Sequence, residues 1–124
     1  MNGTKLLVDT NIALYFLGGD TVLETLLDQR EIFLSIITEM ELLAYPNITE
    51  AEVAKIKAFI ADCQVIEIGQ DIKEKAIELR RQYNLKLPDA IIAATAIQHN
   101  LPLISADSVF LRLEEVMNFV HYTL

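Results

Sequence analysis

The sequence predicts an α/β domain built on a central parallel sheet of about five strands, with helices on both faces. Three observations carry that expectation. Short apolar runs of strand length alternate with segments whose apolar residues recur at three- and four-residue steps. Capping and turn residues stand between them. The block "PDAIIAATAIQ" is apolar almost all the way round, as a helix at the centre of such a domain must be. Residues 1–124 read as one domain, long enough to bury a core without staples.

"KLLVD" reads as the first strand, and an apolar helix follows it through Leu17. "GGD" breaks the chain; Thr21 with Glu24 has capping-box spacing, and Val22, Leu23, Leu26 and Leu27 form one helical stripe. "IFLSI" is a second short strand. "ITEMELLAY" is a helix stopped at Pro46, because the residue before a proline is pushed out of helical geometry. "NITEAEVAKIKAFIADC" opens on a second capping box, Thr49 with Glu52, and buries Val53, Ile56, Phe59 and Ile60. "QVIEI" alternates as a strand closed by Gly69. Ile72, Ala76, Leu79 and Tyr83 then mark a helix. Pro88 sits in the first turn of the buried helix. "LPLIS" is a strand, "ADSVFLRLE" a turn with a short helix, and "NFVHYTL" a final strand.

Ten basic residues against eighteen acidic ones leave a formal charge of −8. That balance argues against broad electrostatic capture of a polyanion. Cys63 is the only cysteine, so neither an intrachain disulfide nor a thiolate zinc cluster can form, and a reducing, cytoplasmic setting is expected. No signal-peptide pattern opens the chain, and the longest apolar runs fall far short of the roughly 20 residues of a membrane span. A hydrophobic content of 52% points to some surface hidden in a partner or a second copy. No "GxxxxGK" phosphate loop is present.

Four acids stand where an open α/β sheet collects ligands, outside the carboxyl ends of its strands. Asp9 follows the first strand, Glu41 lies on the helix after the second, Asp89 opens the buried helix and Asp107 follows "LPLIS". Each has a plain reading too: Asp9 as a helix cap, Asp89 as a partner of the helix dipole, Glu41 as a solvated residue, Asp107 as a turn-former. Glu39 lies about 200° from Glu41 around their helix and cannot share its direction. Carboxylates gathered together repel, and a hard divalent cation removes that penalty, so Mg²⁺ or Mn²⁺ is the expected cofactor. Asn11, Thr38 and Ser105 supply neutral oxygens that support the acids. Such a site suits phosphodiester hydrolysis.

"LLVDTNIAL", "SIITEMELL", "LKLPDAIIAATAI" and "LPLISADSVF" resemble, in this order, the motifs of PIN-domain nucleases, and specifically of VapC-type toxins of toxin–antitoxin pairs. The resemblance covers nearly the whole chain. It implies a PIN-like fold, an Mg²⁺- or Mn²⁺-dependent endoribonuclease activity on RNA, a homodimer and a small antitoxin protein as partner. By the same match Asp9, Glu41, Asp89 and Asp107 are the metal-binding, catalytic acids, and Asn11, Thr38 and Ser105 the supporting polar residues. Two positions depart from the pattern: Val109 precedes Phe110 where an Asp is common, and Ser105 replaces a Thr. A competing reading is a catalytically weak PIN-fold binding module, since a fold does not dictate a function.

Lys73, Lys75, Arg80, Arg81 and Lys86 gather in the stretch leading to Asp89. Arg80, Arg81 and Lys86 are the candidates for RNA-phosphate contacts, and an ion-paired helix face, such as Glu78 with Arg81, is the alternative. His99 is expected at the C-terminus of the buried helix and His121 on the solvent side of the last strand. Tyr15 and Phe16 lie beside the site, with core packing expected for at least one.

Overall fold

A computed structural model describes residues 4–123. Five short strands, β1 (Lys5–Val8), β2 (Glu31–Ser35), β3 (Gln64–Ile66), β4 (Leu103–Ser105) and β5 (Phe119–His121), pair in the order β3-β2-β1-β4-β5. Every neighbouring pair is parallel, and Leu7 of β1 stands level with Phe33 of β2 and Leu103 of β4. The crossovers are α1 (Thr10–Leu17), α2 (Thr21–Leu27), α3 (Ile36–Leu43), α4 (Glu50–Ala61), α5 (Gln70–Tyr83) and α6 (Leu87–Gln98). A 3-10 helix, Ser108–Leu113, joins β4 to β5. The predicted α/β class, with five parallel strands between helical layers, is what the chain adopts.

Two cores explain why β1 shows no polar alternation. Successive strand side chains point to opposite faces. Leu7 and Leu103 therefore enter one core with Ile72, Ala76 and Leu79 of α5, most of α6, and Phe110 and Leu113. Leu6, Val8 and Ile104 enter the other with Ile12 and Ala13 of α1, Leu23 and Leu27 of α2, Leu42 of α3 and Ile56 of α4. A parallel strand covered on both faces reads as a continuous apolar run.

Local signals set most helix ends. Thr49 and Glu52 form the expected capping box at α4: Thr49 Oγ1 accepts from the Glu52 N–H at 3.1 Å, and Glu52 Oε1 accepts from the Thr49 N–H at 3.0 Å. Thr49→Ala is expected to destabilise the fold by about 1 kcal/mol, read as a shifted denaturant midpoint with an unchanged slope. The other predicted box is corrected. Asp20, not Thr21, caps α2, its Oδ1 accepting from the Leu23 N–H at 3.0 Å. A carboxylate one residue earlier outcompetes the hydroxyl, and it also accepts from the Tyr122 hydroxyl at 2.9 Å. Asn84, at φ 55°, closes α5 in the left-handed conformation that Asn tolerates. The "QVIEI" strand is shorter than expected, ending at Ile66, and Gly69 becomes the cap of α5. "NFVHYTL" pairs only over Phe119–His121; its last residue, 124, lies outside the described residues.

Candidate active site

Between β1 and β4 the order of the sheet reverses, because β2 and β3 extend on one side and β5 on the other. Chain segments leaving the carboxyl ends of β1 and β4 diverge there and leave a crevice. Asp9 leaves β1 into that crevice, and Asp107 follows β4 into it.

Asp9 is 5% exposed and holds the two segments together. Its Oδ1 accepts from the Ile12 N–H at 3.0 Å, capping α1, while Oδ2 accepts the Ser105 hydroxyl. Ser105 Oγ in turn accepts from the Asp107 N–H at 3.0 Å. Asp107 Oδ1 accepts from the Val109 N–H at 2.9 Å and so caps the 3-10 helix. For both aspartates the capping role and the place in the crevice hold at once, because a carboxylate has more lone pairs than a single cap uses.

Thr10, the first residue of α1, also reaches into the site. Its hydroxyl lies 3.2 Å from Thr38 Oγ1 and hydrogen-bonds Glu41 Oε1. A hydroxyl carries one proton. Thr10 gives it to the carboxylate, and Thr38, fully buried on α3, faces Thr10 with its own. No local spacing signals this pair, since Thr10 and Glu41 are 31 residues apart. Thr10→Val keeps the shape and removes the hydroxyl. It is expected to cost about 1–3 kcal/mol of stability in a denaturant titration, because the Thr38 hydroxyl loses its partner.

The crevice is an open cleft of about 350 Å³ whose polar lining is Asp9, Thr10, Asn11, Glu41, Asp89 and Asp107 and whose apolar lining is Ala44, Tyr45, Pro46 and Ile92. All four predicted acids line it, and so does Asn11; Glu39 does not. Thr38 and Ser105 lie buried beneath. Burial pushes the Asp9 carboxyl above its ordinary 3.8; the Ser105 and Ile12 hydrogen bonds pull back, and the charges of Asp107 and Asp89 push further. Asp89 is raised as well, by burial first, then by Asp107 and Glu41, with Lys86 opposing. Asp9 thus lies within the field of Asp107 and Asp89, and Asp89 within that of Asp107 and Glu41.

Among the described residues no three His, Cys, Asp or Glu side chains are gathered tightly enough to hold an ion as they stand. The cleft is lined by four carboxylates with oxygen donors only, a set that fits a hydrated ion such as Mg²⁺, which takes one or two carboxylates directly and keeps several waters.

The basic stretch divides its tasks. Arg80 Nη1 donates to the Leu85 carbonyl at 2.7 Å, clasping the α5–α6 turn. Lys75 pairs with Glu78 at 3.4 Å, which places an ion pair on this face with a different partner from the Glu78–Arg81 pair considered. Arg81 is exposed, and Lys86 precedes α6 within the field of Asp89. His99 terminates α6, and exposed His121 stacks on Phe119 with ring centroids 5.5 Å apart. Tyr15 and Phe16 both pack against the second core.

A wholly parallel α/β sheet with four carboxylates in the cleft at its switch point defines a fold class in which acids far apart in sequence share one site. The PIN domain profile matches residues 6–116, and the chain belongs to the PIN domain family. No curated protein matches it in sequence. Among solved structures it is similar to a chain of a toxin–antitoxin complex from Klebsiella pneumoniae, at 31% identity and a TM-score of 0.82, covering 96% of this chain and 99% of that one. It is also similar to a chain of VapBC2 from Rickettsia felis bound to a DNA fragment from their promoter, at 20% identity and a TM-score of 0.80, with 96% and 99% covered. FitAcB from Neisseria gonorrhoeae is similar at 19% identity and a TM-score of 0.78, with 94% and 96% covered. At the lower two identities the likeness is one of fold. The resemblance to PIN-domain, VapC-type chains read from the motifs is borne out. Among the described residues no helix is long and apolar enough to cross a membrane.

Proposed function

We propose that the chain is a Mg²⁺- or Mn²⁺-dependent endoribonuclease, the toxin of a toxin–antitoxin pair, with its site at Asp9, Glu41, Asp89 and Asp107. The observation that supports this best is the convergence of the four acids, from four separate segments, on one cleft. When bound, the divalent ion offsets their repulsion, polarises a phosphate oxygen and activates a water for attack on phosphorus. Asp9 and Asp89, the more buried pair, would hold the ion, and Asp107 and Glu41 would complete its surroundings. Ser105 fixes the orientation of Asp9, and Thr38, through Thr10, fixes Glu41. Asn11 offers a neutral oxygen at the rim. Lys86, whose charge reaches Asp89, and exposed Arg81 are the residues proposed to meet the phosphates of the strand.

The Klebsiella complex favours a small antitoxin protein as the partner here too, and homodimers in a cytoplasmic setting belong to the same reading. One observation favours a second reading, a non-catalytic binding module. Val109 occupies the place where the family pattern commonly has an acid, so Asp107 stands alone in its segment. A mixed RNA pool incubated with the wild-type chain decides between them. Cleavage that needs Mg²⁺ or Mn²⁺ and stops with chelator is the expected result; intact RNA at all metal concentrations would leave only the binding module.

A further inference from the structure

The lining of the cleft includes a side chain that the proposed chemistry does not use. Tyr45 is 46% exposed, yet it lines the same cleft as the four acids. Its backbone is held on both sides. Ala44, the C-cap of α3, donates its N–H to the Glu41 carbonyl at 3.3 Å, and after Pro46 the chain turns through Asn47 at φ 63°. The other eight aromatic residues have occupations. Phe16 packs on Phe59, Phe110 on Phe119, and Phe33 lies under Lys5. Tyr15 and Tyr83 pack against the two cores, and Tyr122 hydrogen-bonds Asp20. Among the described residues no ring stacks on Tyr45 and no side chain hydrogen-bonds its hydroxyl.

We propose that Tyr45 is the platform on which a nucleobase stacks beside the cleaved phosphate, a contact that a base held inside a duplex cannot make. The inference rests on the nuclease reading and adds a base-binding residue to it. A nucleotide is anionic at one end and flat and apolar at the other, and the lining of the cleft combines four carboxylates with Tyr45 and Pro46. Charge supports the assignment. At a net charge of −8, with eighteen acids against ten bases, the field of the whole chain repels a polyanion, so affinity must come in part from contacts other than charge. Stacking provides affinity without cations and tolerates any base, but it requires that base to leave its helix.

The test is binding of a labelled mixed-sequence RNA decamer, with all variants in an Asp9→Asn background that keeps the probe intact. Tyr45→Ala is expected to weaken binding by roughly 5- to 150-fold, the worth of one stacked base, and Tyr45→Phe to leave it unchanged. A decamer duplex should bind equally with and without the ring. The chain contains no tryptophan, so Tyr45→Trp carries its only indole, and RNA is expected to quench that emission. The affinity should fall with salt at a log–log slope no steeper than about −2, two or three phosphate contacts for a single strand. Equal affinity after Tyr45→Ala, or indole emission untouched by saturating RNA, overturns the proposal. So does loss of a protein partner with RNA binding intact. Cleavage of the RNA pool is scored separately. Cleavage with affinity indifferent to Tyr45 removes the platform and leaves the nuclease; Tyr45-dependent affinity without cleavage does the reverse; no RNA binding at all removes both.

Discussion

Asp9→Asn is expected to lower metal-dependent RNA cleavage by about 10²–10⁴-fold, the rate equivalent of several kcal/mol of transition-state charge stabilisation. The same change should leave the metal-free fold as stable as before, or more so. An Asn oxygen still accepts from the Ile12 N–H, and its amide group reverses the Ser105 contact without loss of either bond. What disappears is a 5%-exposed carboxyl whose charge is opposed by burial and by two neighbouring acids. Cleavage assays and thermal melts on one preparation check both halves. A variant that cuts RNA as fast as wild type would end the assignment of Asp9 to the site, and one that melts far lower would make its role structural.

Mn²⁺ at a hundred times its dissociation constant is expected to stabilise the protein at neutral pH by about 2.7 kcal/mol, roughly 10 °C for a chain of this size. The gain should shrink as the solution is acidified. Asp9 and Asp89 both have folded-state pKa values raised above 3.8. Between that value and the raised ones, the folded chain binds more protons than the unfolded chain. Metal-free stability from these groups therefore falls as pH rises through that window and stays at the lower level above it. The ion binds the deprotonated carboxylates, so it restores most where the loss is complete. Asp20 and Glu52, whose pKa values are lowered by the backbone N–H groups they cap, act with the opposite sign on acidification. The difference between wild type and Asp9→Asn at each pH separates the two contributions. Melting temperatures indifferent to Mn²⁺ at pH 7 would remove the metal from the account.

Several elements of the molecule could be read along the chain. The strand "LLV" and the buried helix "AIIAATA" are long enough, and apolar enough, to identify themselves. The Thr49–Glu52 box works through atoms three residues apart. The acids could be read because each follows a strand or opens a helix, and strand ends in a parallel sheet all open to one side. Arg80 shows the opposite case. Its sequence neighbours suggest a phosphate contact, and its guanidinium clasps a carbonyl five residues on, because α5 and α6 turn back on each other there.

The cap of α2 failed for a related reason. Thr21 and Asp20 are equally good by residue type, and a contact from Tyr122, 102 residues away, accompanies the choice of Asp20. Tyr45 gave no periodic or motif signal at all. It became a candidate only once the end of α3 and Pro46 brought it into the lining of the cleft that holds the four acids.

Signals that reach three or four residues along a chain, through hydrogen bonds to nearby N–H groups and side chains on one helical face, were enough to define the elements and to nominate the four acids. The meetings of Asp9 with Ser105, of Thr10 with Glu41, and of Tyr45 with the acids came from strand order and register, which put β1 beside β4 across 96 residues of sequence. Those contacts exist because two cores, one on each side of the sheet, fill only when the strands lie in that order.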